Sequence, residues 1–175
     1  KRCIFVHIQK TGGDSVRSIL GGDRKDKHKH RTAVELRAVY GHSAWRDCYT
    51  FAFVRNPWDR LVSWWSMIGV VRSMYRMGDT LNAFQRYVLD NANNFEEFLT
   101  RCGEEISDSD GRKGIFRNQI EYLCDENGEV IVDFIGRYER LQLDMDYVAN
   151  RIGLDRFILP QLNHHNTNAI LSITP

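Results

Sequence analysis

A short apolar run, Ile4-Phe5-Val6-His7-Ile8, passes at once into Gln9-Lys10-Thr11-Gly12-Gly13-Asp14-Ser15, and no other stretch constrains this chain as strongly. β-Branched and aromatic residues predict a buried strand, the adjacent glycines permit positive φ and close backbone approach, and Asp14 or Ser15 can cap a following helix. Such a turn presents backbone N–H groups at the positive end of a helix dipole, which suits phosphate or sulfate oxygens, and Lys10 adds a mobile charge. Strand, glycine turn and helix also recur in α/β proteins without a ligand, so the stretch alone fixes an α/β start rather than an activity. The lysine precedes the glycines and no Gly-Lys-Ser/Thr follows, which excludes a Walker pattern.

A second apolar strand, Thr50-Phe51-Ala52-Phe53-Val54, leads into Arg55-Asn56-Pro57-Trp58-Asp59-Arg60-Leu61-Val62-Ser63-Trp64-Trp65. Pro57 suits the first turn of a helix, on which Leu61, Trp64, Trp65 and Ile68 share an apolar face. With both stretches in view, the chain resembles the sulfotransferases that use 3′-phosphoadenosine 5′-phosphosulfate (PAPS), especially the carbohydrate sulfotransferase group and its bacterial relatives. The resemblance implies that Lys10, Thr11, Gly12, Gly13 and Ser15 hold the 5′-phosphosulfate, with Lys10 also catalytic, and that Arg55 and Ser63 hold the 3′-phosphate. Asp14 stands where the family often has threonine, and its carboxylate must cap the helix or pair with a cation to avoid repelling the donor. Gln9 stands in place of the usual proline, at some cost in loop rigidity.

The resemblance further implies a histidine base upstream of the 3′-phosphate motif. The charge-mixed segment 23–31 reads as a solvated loop, but His28 and His30 lie just before a helix over 32–40, where Thr32 and Glu35 have capping-box spacing. His30 is the first candidate, since an imidazole with an ordinary pKa near 6.5 suits removal of a hydroxyl proton. His42, in a Gly-His-Ser turn before the second strand, is the alternative base.

Residues 67–94 read as a helical lid or acceptor wall, or as amphipathic helices on the core. Asn94 and Glu97 predict a capped helix with Phe95, Phe98, Leu99 and Cys102 as its buried stripe, and 104–113 reads as an exposed loop. Asn127-Gly128 marks either a hairpin or a connection from a helix end to a strand. The strand over 130–135 leads into Gly136-Arg137-Tyr138-Glu139-Arg140-Leu141, which also resembles the family. Arg137 is a further candidate for an anionic ligand, with Glu139 orienting it or forming an internal ion pair. Leu141, Met145, Val148 and Ile152 predict a helix ended by Gly153. His164 and His165 have no acidic or thiol partner at metal-ligand spacing, so no metal is expected.

At 175 residues, 42% of them hydrophobic, the chain can bury one core and is expected to form a single sulfotransferase domain over 1–175. A net charge of +1 carries no nucleic-acid signature. Cys3, Cys48, Cys102 and Cys124 show no Cys-x-x-Cys spacing and read as reduced core residues. No leader or apolar span is evident, which predicts a cytoplasmic protein, or a Golgi-lumen one if the chain has been trimmed. The expected fold is an α/β, P-loop-kinase-like three-layer sandwich with a mostly parallel central sheet and helices on both faces. The expected activity is transfer of a sulfuryl group from PAPS, as co-substrate, to a hydroxyl of a carbohydrate or small molecule, leaving adenosine 3′,5′-bisphosphate (PAP). Rival readings are a catalytically silent PAP/PAPS-binding module and a P-loop-like nucleotide kinase.

Overall fold

The computed structural model of the chain describes residues 3–22, 26, 28–78, 80–108 and 111–162. In chain order the elements are β1 (Cys3–Val6), α1 (Gly13–Leu20), α2 (Ala33–Tyr40), α3 (His42–Asp47), β2 (Tyr49–Val54), α4 (Pro57–Arg76), α5 (Ala83–Asn91), α6 (Phe95–Arg101), β3 (Ile106–Asp108), β4 (Gly111–Lys113), β5 (Phe134–Arg137) and α7 (Leu141–Ile152). Short 3-10 turns lie at Gln119–Tyr122 and Tyr138–Arg140. The strands β1, β2 and β5 form a parallel sheet in the order β1-β2-β5, with Phe5 opposite Phe51 and Phe51 opposite Phe134. Because all three run the same way, the turns that follow them emerge at one edge, where ligands bind in open α/β sheets.

Side chains of a strand alternate between its faces, and the sheet separates two cores accordingly. Ile4, Val6 and Ala52 pack with Ala33 and Leu36 of α2, Trp45 of α3 and Tyr122. Phe51 and Phe53 pack with Val16 of α1 and with Met145 and Val148 of α7. A third cluster joins Trp64 and Ile68 of α4 to Phe84, Val88 and Phe98 of α5 and α6. The chain is thus mixed α/β, with a parallel three-stranded sheet and packed helices.

Several helix boundaries follow from their caps. Thr32 and Glu35 make both bonds of the capping box, 3.2 and 2.7 Å. The Asn56 side chain accepts from Trp58 N–H ahead of Pro57, and Asn94 accepts from Glu97 N–H. Gly153, at φ 68°, ends α7 in the left-handed conformation.

Other segments differ from the sequence reading. Neither Asp14 nor Ser15 caps α1: the helix begins at Gly13, its N-cap is Gly12 with no side-chain cap, and Asp14 sits in the first turn. His42 opens the six-residue α3 instead of lying in a turn. The segment expected to be a loop over 104–113 contains the antiparallel pair β3–β4, because backbone pairing there outweighs the polar composition. Around Asn127-Gly128 the chain makes a tight turn closed by one antiparallel bridge, Cys124 to Val130, following the 3-10 turn. Cys102 is buried and Cys3, Cys48 and Cys124 are half-buried. None of the described helices is long and apolar enough to cross a membrane.

Candidate functional site at the strand ends

The turn after β1 is fixed by groups on both sides. Gln9 is buried; its Nε2 donates to Arg112 O at 3.1 Å and its Oε1 accepts from the Tyr122 hydroxyl. The side chain thus anchors the turn where a proline would have stiffened it. Arg60 is also buried, donating from Nε to Gln9 O at 3.2 Å and from Nη1 to Arg117 O at 3.0 Å. The second arginine of the Arg-Asn-Pro motif therefore ties α4 to the turn.

Lys10 has φ 69°, a left-handed conformation uncommon for a residue with a side chain. The Thr11 hydroxyl donates back to Ile8 O at 2.9 Å. Gly12, at φ 80°, lies so close to the segment after β5 that a Cβ would stand 2.7 Å from Leu141 Cδ2. A Cβ on Gly13 would meet His7 Nε2 at 1.9 Å, so glycine at this position is what lets the imidazole lie against the loop.

Arg55 leaves the end of β2 beside this turn. The Gln119 side chain clamps its backbone, accepting from Arg55 N–H at 2.8 Å and donating to Arg55 O at 2.7 Å. The guanidinium lies 4.1 Å from the centre of the Tyr138 ring and donates from Nη1 to Lys10 O at 3.3 Å. Arg55 Nε is buried with no hydrogen-bond partner among the described residues. A buried cationic N–H without a partner is costly, and an anionic ligand would satisfy it.

His30, 8% exposed, lies with its ring centre 4.5 Å from that of His7, and its Nδ1 is 3.2 Å from His7 O. A carbonyl only accepts, so this bond calls for a proton on Nδ1, and the neutral ring then carries its lone pair on Nε2. His7 is pushed well below the ordinary histidine range, first by burial and then by His30 and nearby cations. Lys10 falls from 10.5 to about 8, chiefly through burial and then through the Arg55 charge, with Asp14 acting against both. Asp14 itself pairs with Lys29 at 2.5 Å, the cation pairing its place in the loop requires.

These groups line one cavity of about 750 Å³ at the carboxyl edge of the sheet. Of the residues singled out from sequence, Lys10, Gly12, Gly13, Ser15, His30, Arg55 and Ser63 lie on its wall. Thr11, with its hydroxyl turned back to Ile8, is not among the lining residues. Neither is His42, exposed on α3, nor Arg137, whose exposed residue donates its backbone N–H to Asp144 at 2.7 Å. Glu139 lines the cavity and accepts from Asn56 N–H at 2.6 Å, so it braces the start of α4.

The structure adds His7, Lys29 and Tyr138 to the wall. His7 was signalled by a lone polar residue inside an apolar strand, and Lys29 by its place beside His30. Tyr138 carried no signal until the fold set it against Arg55. His164 and His165 lie outside the described residues, and among those described no group of three or more His, Cys, Asp or Glu side chains could hold a metal ion.

A sequence model described as the sulfotransferase family matches residues 1–171. No curated protein and no solved structure matches the chain.

Proposed function

The chain belongs to the sulfotransferase family, and from that premise we propose that it transfers a sulfuryl group from PAPS to a hydroxyl acceptor as one domain spanning 1–175. In this reading the sheet and its flanking helices form a P-loop-kinase-like sandwich, with the donor at the carboxyl ends of the strands. The observation that carries the reading is the convergence of Lys10, Arg55, Ser63 and His30, distant in sequence, on one cavity. The chemistry of this donor set fits a doubly anionic nucleotide: a glycine turn at a helix start, a lysine, and an arginine with an unpartnered buried N–H.

The roles follow from charge and position. Backbone N–H groups over Thr11 to Ser15 hold phosphosulfate oxygens, while Arg55 and Ser63 address the 3′-phosphate; Arg137 is a further anion contact only if its side chain reorients. The acceptor oxygen forms a new bond to sulfur as the bond from sulfur to the bridging oxygen breaks. That oxygen departs on the 5′-phosphate with the electron pair, beside Lys10, and His30 Nε2 takes the acceptor proton. Like phosphoryl transfer, the reaction asks the protein mainly for positioning and charge stabilisation. No step calls for a metal.

Transfer of label from PAPS to an acceptor panel tests the reading. His30→Ala is expected to cut turnover by about 10²–10⁴ with PAP binding intact, and to remove the acidic limb of the pH–rate profile. His42→Ala serves as the comparison and is expected to be mild. Full turnover in the His30 variant with loss in the His42 variant would move the base to α3. PAP binding with no transfer to any acceptor by the wild-type protein would leave a binding module.

A further inference from the structure

Resting on the donor reading above, we infer that the acceptor is a hydroxyl borne on an apolar body, of aromatic or terpenoid-alcohol type, and not a polyhydroxylated sugar. The cavity is divided in character. Lys10, Asp14, Lys29, His30 and Arg55 stand at the strand ends, whereas beyond Ser63 the wall passes to Trp64, Met67, Val70, Val71 and Met74 of α4 and Phe84 of α5. These α4 positions follow helical spacing, so one face of the helix presents an apolar strip that runs outward from the donor end. On this strip Val70 and Met74 are 40% and 44% exposed, whereas Leu162, whose N–H donates to Ser15 Oγ at 3.3 Å, lines the cavity beside the donor loop. Apolar surface left in water along α4 gains by being covered.

Part of the hydrogen-bonding capacity beside this strip is already used within the protein. Asn82 Oδ1 accepts from Gln85 N–H at 2.8 Å and Gln85 Oε1 accepts from Asn82 N–H at 3.0 Å, so both amide oxygens are engaged in capping α5. Lys113 is paired with Asp108 at 2.9 Å. A sugar entering this end would lose water from several hydroxyls and find, beside the apolar strip, chiefly the Asn82 and Gln85 amide N–H donors, whereas an apolar body has no hydroxyls to leave unpaired there. Two methionines on the strip can adjust to more than one shape, which suits an apolar group held by contact. One hydroxyl need then reach the strand end, where His30 stands.

The test uses calorimetry on the intact chain in two stages. PAP is titrated first; with PAP saturating, 2-naphthol and N-acetyllactosamine are titrated separately, and the naphthol titration is repeated on Val70→Asp and Met74→Asp. Both variants alter exposed helix positions, and PAP affinity within twofold of wild type shows that the donor end is intact. The expected result is naphthol binding at least about tenfold tighter than the disaccharide, weakened by about tenfold or more in each variant. Disaccharide binding as tight as naphthol, naphthol affinity indifferent to both substitutions, or no naphthol binding to the PAP complex overturns the inference and leaves the donor reading standing. Failure of PAP to bind in the first stage overturns the donor reading, and this inference with it.

Discussion

At the strand end of the cavity, Gln9, Arg55 and His30 are held by hydrogen bonds to backbone or amide groups far away in sequence. At the helical end, Trp64 and Phe84 meet ring to ring at 4.8 Å inside a cluster of apolar side chains, and Met67 packs against it from the edge. Directional bonds hold a side chain in one arrangement, whereas apolar contacts tolerate exchange of residues of similar volume. The first end therefore suits chemistry, in which small displacements are expensive in rate, and the second suits recognition, which can change residue by residue without loss of the fold. Substitutions at the strand end should act on rate and donor binding, and those at the helical end on acceptor preference.

The largest effect expected from this contrast is at Lys10. Its charge acts on the oxygen that departs with the phosphate, so Lys10→Ala should lower kcat by about 10²–10³ while changing donor affinity much less. Single-turnover kinetics with PAPS measures the two separately. A fall in affinity with kcat unchanged would make Lys10 a donor anchor and blur the division of labour within the strand end.

Arg55→Ala comes next. Loss of one charge-assisted bond to the 3′-phosphate, worth about 1.5–3 kcal/mol, should weaken PAP by about 10–100-fold and leave AMP nearly unchanged. Because Gln119 grips the Arg55 backbone, the end of β2 should survive the substitution, which takes from the lysine turn only the guanidinium bond to Lys10 O. Equal losses for PAP and AMP would mean that the arginine shapes the turn and does not read the 3′-phosphate.

A smaller effect appears in proton counting. In the free protein Lys10 titrates at about 8, so it is charged below that pH and loses its proton as pH rises through it. An anionic donor favours the charged form, so Lys10 should take up about half a proton on binding at pH 8 and almost none at pH 6, and affinity should fall above pH 8. Calorimetry in two buffers of different ionisation enthalpy reads the uptake. No uptake at pH 8 would place Lys10 away from the donor's charge.

The same contrast explains what could be read before the fold was known. Lys10, Gly12 and Gly13 follow from a strand end and a helix start, where local geometry decides where side chains go, whereas Arg55 and Ser63 were legible only through the resemblance to the sulfotransferase motif. His7 is separated from His30 by 22 intervening residues, and only folding brings the rings together beneath Gly13. Gln119, which fixes Arg55, lies 64 residues away in a 3-10 turn that no periodicity announces. Lys29 sat in a charged run whose composition speaks for solvent, yet Lys29 itself pairs with Asp14 at the loop. The apolar strip on α4 was the least legible part, because helical spacing of Trp, Met and Val is the same for a buried face and for a cavity wall. Only the packing distinguishes them: Ile68 is fully buried while Val70 and Met74 remain open.

The central claim is that the strand end of the cavity holds an adenosine nucleotide by both its 5′- and 3′-phosphates. Titration of the wild-type chain with PAP and with AMP in the same buffer tests it most directly, since the two differ in the group that Arg55 and Ser63 are assigned to hold. The account predicts PAP tighter than AMP by about tenfold or more. Equal affinities for the two nucleotides would contradict it.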